Sequence, residues 1–357
     1  MVSPKAVAKP PSALELAALA NAMVPGLQAL GAKDYVATGS GAIVTIVDDH
    51  GKDWQVWSTS SQLSKDSAER LLQVLRLLDG YVGVNKLPFS VPVPTAVLRQ
   101  KSGFLVLVYP HMGGEPGGEG YLNGGGALAS TIGKALGQLH NLPSDAYFEA
   151  SGQLNTAEEN RGQVAGLVEQ HGSVLPADLR TRWVGALKDS ALWQFDSTPI
   201  HGTLSTNNLQ VAQGGAVLGV RGFEAARVDD PALDLTWLMY GADDGFLRSF
   251  EAAYSRARIA RDLHLLTRAQ FYAEIETLRW YDQAVQADDS AWRKAGVDAL
   301  RELDKDLMGE LLVAPKEDVI EIKFTAEEEP LLRLGSSTSS ASPTGATVAG
   351  AELDEEL

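Results

Sequence analysis

The hydrophobic positions change period along the chain. Leu16, Leu19 and Met23 recur at helical spacing after Ser12, which forms a capping-box pattern with Glu15, and Pro25 closes that helix. Two strands are predicted next, around Tyr35 to Thr38 and Ala42 to Val47; "DDHGKDW" reads as a turn and "WQVWSTS" as a third strand. Leu71, Leu75 and Leu78 in "AERLLQVLRLLDG" predict a helix packed on that sheet and stopped at Gly80. After the proline-broken "LPFSVPVPTAVL", the apolar run "GFLVLVYP" reads as a buried strand.

Beyond residue 126 the period becomes mainly helical. Leu128, Ile132, Leu136 and Leu139 share a face, with His140 placed to interact with the helix C-terminus, and further helices are predicted over about 242–258, 261–283 and 288–309. Ile320, Ile322 and Phe324 alternate with charged residues as in an edge strand. The expected organisation is a flexible N-terminus at 1–11 and a small mixed sheet-helix lobe at 12–110. A glycine-rich loop or lobe boundary at 111–126 leads to a helix-rich lobe at 127–334, followed by a flexible acidic tail at 335–357.

Composition narrows the chemistry. Lys and Arg total 30 against 46 Asp and Glu, a net charge of -16, which argues against general binding to nucleic acid or to an anionic membrane. The chain has no cysteine, which excludes disulfides, thiolate ligands and thiol nucleophiles. No apolar h-region follows Lys5 and Lys9 and no apolar run reaches spanning length, so the expected location is cytoplasmic. His111, His140, His171 and His264 lack the spacing of a zinc site, and no metal is expected from them.

The segments "LASTIGKALGQLHNLP", "IHGTLSTNNLQV" and "AVLGVRGFEAARVDDPALDLTWL" resemble the aminoglycoside and macrolide phosphotransferase family, most strongly over residues 127–240. The resemblance implies an α+β, bilobal, protein-kinase-like fold. It also implies a catalytic loop of the form His-Gly-Asp-Leu, three variable residues and Asn, matched here by His201, Gly202, Leu204 and Asn208. Thr203 stands where the family places the aspartate that orients or deprotonates the acceptor. Gly222 stands where it places a metal-binding aspartate, beside Arg221 in place of an apolar residue. By the same comparison, the small-lobe cation that contacts phosphate falls at Trp57 or Ser58, with Lys52 and Lys65 reaching it only in a shifted register; Glu69 would be the helix acid that orients it. Asp230, Pro231 and Asp234 match the following turn and helix, with Asp234 expected to support the loop backbone.

Thr203 is no general base near neutral pH and Gly222 offers no carboxylate. The leading expectation is therefore a catalytically impaired pseudokinase, not an enzyme, that binds an unidentified protein or small-molecule ligand and has no cofactor. The alternative is a phosphotransferase using ATP or GTP with magnesium on a small hydroxylated metabolite, with Glu224 or Asp230 supplying the missing carboxylate. A third reading is an anionic-ligand module built on Arg221 or Arg227.

Overall fold

The computed structural model describes residues 9–38, 41–59, 62–118, 122 and 126–313. Helix α1 (Ala13–Met23) begins with the complete Ser12/Glu15 capping box and ends two residues before Pro25. Strands β1 (Ala29–Thr38), β2 (Gly41–Asp48) and β3 (Asp53–Ser58) precede α2 (Lys65–Gly83), and β4 (Ala96–Arg99) and β5 (Leu105–Pro110) complete an antiparallel sheet of order β1-β2-β3-β5-β4.

Period-two alternation assigns the two faces of this sheet. Val44, Ile46, Trp54, Val56, Val106 and Val108 pack on Leu16, Ala20 and Val24 of the α1 segment. Ile43, Trp57, Leu105, Leu107 and Tyr109 face the other way, in one core with Leu71, Val74, Leu75 and Leu78 of α2. Both faces are covered, which is why β2 and β3 read as nearly continuous apolar runs.

Two expectations are corrected here. Strand β1 starts at Ala29, well before Tyr35, and α2 continues through Gly80 to Gly83. Nothing lies within 4 Å of a Cβ added at Gly80, and packing of the surrounding leucines outweighs the roughly 1 kcal/mol propensity cost of a helical glycine.

The glycine-rich segment is also not all loop. Glu115–Pro116 form β6, paired antiparallel with a strand almost a hundred residues later. Of the residues expected to be loop or terminus, 1–8, 119–121 and 123–125 lie outside the described residues. So do the alternating Ile320, Ile322 and Phe324 and the whole of 335–357.

The helical region comprises α3 (Ala127–Leu139), α4 (Ser144–Ser151), α5 (Ala157–Gln170) and α6 (Ala177–Lys188). Four short strands follow: β7 (Thr198–Ile200), β8 (Leu209–Val211), β9 (Val217–Val220) and β10 (Arg227–Asp229). A 3-10 helix over Pro231–Tyr240 leads into α7 (Asp244–Ala257), α8 (Leu265–Gln286) and α9 (Ser290–Asp306). Helices α3 and α7 meet almost backbone to backbone, because Gly133 and Gly137 leave no room for a Cβ against Phe250, Tyr254 and Ala257.

The short strands pair as β7 with β10 and as β6-β8-β9. This brings the connection after β7 beside the connection after β9, and those two connections carry the unusual motifs. Among the described residues, no helix is long and apolar enough to cross a membrane.

Leu75 is fully buried and its neighbour Leu77 only partly so. Leu75→Ala is expected to cost about 2–5 kcal/mol in denaturant unfolding and Leu77→Ala distinctly less; equal losses would contradict the packing described for α2.

Candidate active site

Asp234, in the first turn of the 231–240 helix, is fully buried. Its Oδ2 accepts from His201 N at 2.7 Å and its Oδ1 from Gly202 N at 2.7 Å. His140 Nε2 donates to Oδ2 at 3.2 Å, while Nδ1 accepts from the Tyr254 hydroxyl at 2.8 Å. Burial lowers the pKa of His140 and keeps it neutral. Burial alone would raise that of Asp234, but the hydrogen bonds from His140 and the loop amide hold it below the ordinary carboxylate value. His140 thus reaches across to the loop, where the sequence placed it only at a helix end.

His201 joins the two motifs. Its Nε2 donates to the Arg221 carbonyl at 2.9 Å, its ring packs on Phe223, and burial depresses its pKa, so it serves as a neutral crosslink.

Asn208 is committed within its own turn: its Oδ1 accepts from Ser205 N at 2.8 Å and Ser205 Oγ at 2.9 Å. Gly222 has φ +92°, and a Cβ built there would overlap the Asn208 amide nitrogen. A side chain at 222 would therefore require the Asn208 amide to shift.

A cavity of about 520 Å³ opens over these loops. Its lining includes Ile43 and Trp57 from the sheet, and Thr203, Asn208, Arg221 and Glu224 from below. Among the described residues that line it, Glu224 is the only carboxylate, and burial raises its pKa to about 7. Arg221 is 7% exposed and donates from Nη2 to the Asn207 carbonyl at 2.6 Å.

The structure separates the remaining candidates from this cavity. Ser58, the neighbour of Trp57, points to the opposite face beside Leu19 and Phe104. Lys52 lies 4.0 Å from the Trp54 ring centroid, and exposed Lys65 pairs with Glu69 at 3.8 Å; neither lysine supplies a cation to the cavity. Arg227 donates to Asp229 Oδ2 at 2.6 Å and to the Ala225 carbonyl at 2.9 Å, which assigns it to the turn.

Asp230 cannot replace the missing carboxylate. It is fully buried, accepts from Arg268 Nε and Nη2 at 2.8 and 3.0 Å and from the Tyr272 hydroxyl at 3.0 Å, and caps Ala232 N at 2.9 Å. Its partners lie roughly forty residues downstream, beyond the reach of any local motif.

A magnesium ion at the position implied by the family resemblance does not fit these residues. The Asn208 oxygen already accepts two hydrogen bonds, position 222 has no carboxylate, and Arg221 presents like charge. Asp48, Asp49 and His50, within the segment expected as a turn, do bring ligand atoms within 4.8 Å of one another. Asp48 is five residues from Ile43 along β2, about 17 Å away. Its oxygens accept from His50 N, Lys52 N and Trp54 Nε1.

Restoring the absent side chain should not restore a metal site. Gly222→Asp is expected to lose about 1–3 kcal/mol of stability from the left-handed backbone alone, with no rescue by magnesium in thermal unfolding; stabilisation by magnesium would contradict the geometry.

Comparison with known proteins places this arrangement. The macrolide 2'-phosphotransferase MphH from Brachybacterium faecium is 20% identical, with 77% of this chain and 90% of that chain covered at a TM-score of 0.62. The type I macrolide 2'-phosphotransferase is 24% identical, with coverage of 80% and 96% and a TM-score of 0.59. Wild-type aminoglycoside 2'-phosphotransferase-IIIa, solved with GDP, is 18% identical, with coverage of 79% and 95% and a TM-score of 0.63. These likenesses establish the bilobal kinase-like fold. No curated protein sequence matches the chain significantly. A sequence profile described as the phosphotransferase enzyme family matches residues 42–267, and this match overturns the expectation that the protein is not an enzyme. The chain belongs to the phosphotransferase enzyme family.

Proposed function

We propose that this protein transfers a phosphoryl group from ATP or GTP to a hydroxyl of a small acceptor, with Glu224 as proton acceptor. The observation that carries this reading is that Glu224, the one carboxylate among the described residues lining the cavity, has a pKa that burial brings to about 7. A general base works best when its pKa lies near the working pH, and Glu224 meets that condition where Thr203 does not. The family's nucleotide chemistry supports the choice of donor; aminoglycoside 2'-phosphotransferase-IIIa itself was solved with GDP.

In the proposed step the acceptor oxygen attacks the terminal phosphorus and its proton passes to Glu224. The bond from that phosphorus to the bridging oxygen breaks, and the nucleoside diphosphate leaves. The Thr203 hydroxyl lines the same cavity and is available to hydrogen-bond the acceptor. Little covalent chemistry is asked of the protein, so positioning and charge carry most of the rate.

Mass analysis of products from an acceptor panel incubated with ATP or GTP tests the reaction. Glu224→Gln is expected to reduce kcat/KM by about 10²–10⁴-fold. The wild-type rate should climb as pH rises through about 7, where Glu224 ionises, and this limb should vanish in the variant. Stability should move oppositely. Because the folded pKa lies above the ordinary value of 4.5, the contribution of neutral Glu224 is full below that value and is lost as pH rises through about 7. Absence of any phosphorylated acceptor, or an unchanged rate in Glu224→Gln, would reject the assignment.

A further inference from the structure

Among the described residues, Arg221 is a buried cation without a counter-ion. Its backbone is fixed on both sides: its N–H donates to the Asn208 carbonyl at 2.9 Å and its carbonyl accepts from His201. Nη2 is held by the Asn207 carbonyl, but Nη1 is buried without a hydrogen-bond partner, and among the described residues no carboxylate forms an ion pair with the guanidinium. Burial pulls its pKa below the ordinary arginine value.

An unpaired buried charge is costly, and buried charges are normally paired. The contrast with Arg268, which is closed off by Asp230 and Asp262, shows how this protein neutralises a guanidinium when its role is packing. Arg221 instead lines the cavity that Glu224 and Asn208 share. A second orphan lies nearby: the buried Tyr109 hydroxyl has no partner and is close enough to feel the charge of Arg221. A fixed cation that lines the cavity, with an unpartnered guanidinium nitrogen and an unpartnered hydroxyl behind it, makes a receptor for an oxyanion.

We propose that Arg221 is a built-in counter-charge for the polyphosphate of the donor, so that this site binds nucleotide without a divalent ion. Gly222 fits the same logic, since an aspartate beside Arg221 would neutralise the charge that the ligand needs. Arginine offers phosphate a planar pair of N–H donors and a charge that does not titrate in the working range. The identification of the anion as a nucleotide rests on the phosphotransferase reading; the metal-free anion site does not.

Calorimetry with ATP, GTP and sodium tripolyphosphate, each in EDTA and in magnesium chloride, tests this on the wild-type protein. Affinity in EDTA should lie within about threefold of that in magnesium for at least one nucleotide. Arg221→Gln, which keeps a donor for Asn207 but removes the charge, should weaken metal-free binding of that nucleotide and of tripolyphosphate by about tenfold or more, and Arg221→Lys by less.

A magnesium requirement of tenfold or more, no binding of any probe, or unchanged affinity in Arg221→Gln would overturn the inference. The wild-type comparison decides this even if a variant fails to fold. Arg221-dependent metal-free binding without product formation would uphold the anion site and reject the phosphotransferase reading. Product formation that requires magnesium and is indifferent to Arg221 would do the reverse.

Discussion

The carboxylate of Asp234 is the constraint on which the loop geometry depends. Two consecutive amides, those of His201 and Gly202, converge on its two oxygens, and neutral His140 donates to the same group. Hydrogen bonds to an ionised partner contribute about 1.5–3 kcal/mol each, and a buried carboxylate stripped of them would carry an even larger penalty. The loop therefore has one backbone path available to it. Asp234 is itself positioned by the helix over 231–240, whose first turn is capped by Asp230, and Asp230 is clamped by Arg268 and Tyr272 of α8. Support thus runs inward from α8 to the loop through a chain of buried polar contacts.

This support explains how a phosphotransferase frame accommodates an unusual set of reactive groups. The residues that hold the backbone, His201, Asn208 and Asp234, act through contacts with other parts of the protein and are indifferent to what position 203 offers a substrate. Among the described residues that line the cavity there is one cation and one carboxylate, Arg221 and Glu224, with no ion pair between them.

The sequence was most readable where period and spacing are local. The apolar runs of β2 and β3, the leucine stripe of α2, the Ser12 capping box and the loop from His201 to Asn208 all rest on neighbours a few residues apart. It was least readable where a side chain finds its partner far along the chain. Asp230 looks like a spare carboxylate until Arg268 is seen closing on it; Arg227 looks like an anion anchor until Asp229 folds back against it. His140 looks like a helix-end residue until Asp234 appears across the core, 94 residues on. The pKa of Glu224 was hidden for the same reason, because burial is a property of the fold and leaves no mark on the five residues around it.

Helix α1 carries a different implication. It lies wholly before residue 42, where the match to the family begins, yet its apolar stripe covers the outer face of the sheet that roofs the cavity. Uncovering that face would present Val44, Ile46, Val56, Val106 and Val108 to water as one apolar surface. The matched segment and the packed unit therefore have different boundaries in this chain. A chain trimmed to the matched segment, residues 42–267, would lose the helix that covers this face of the sheet.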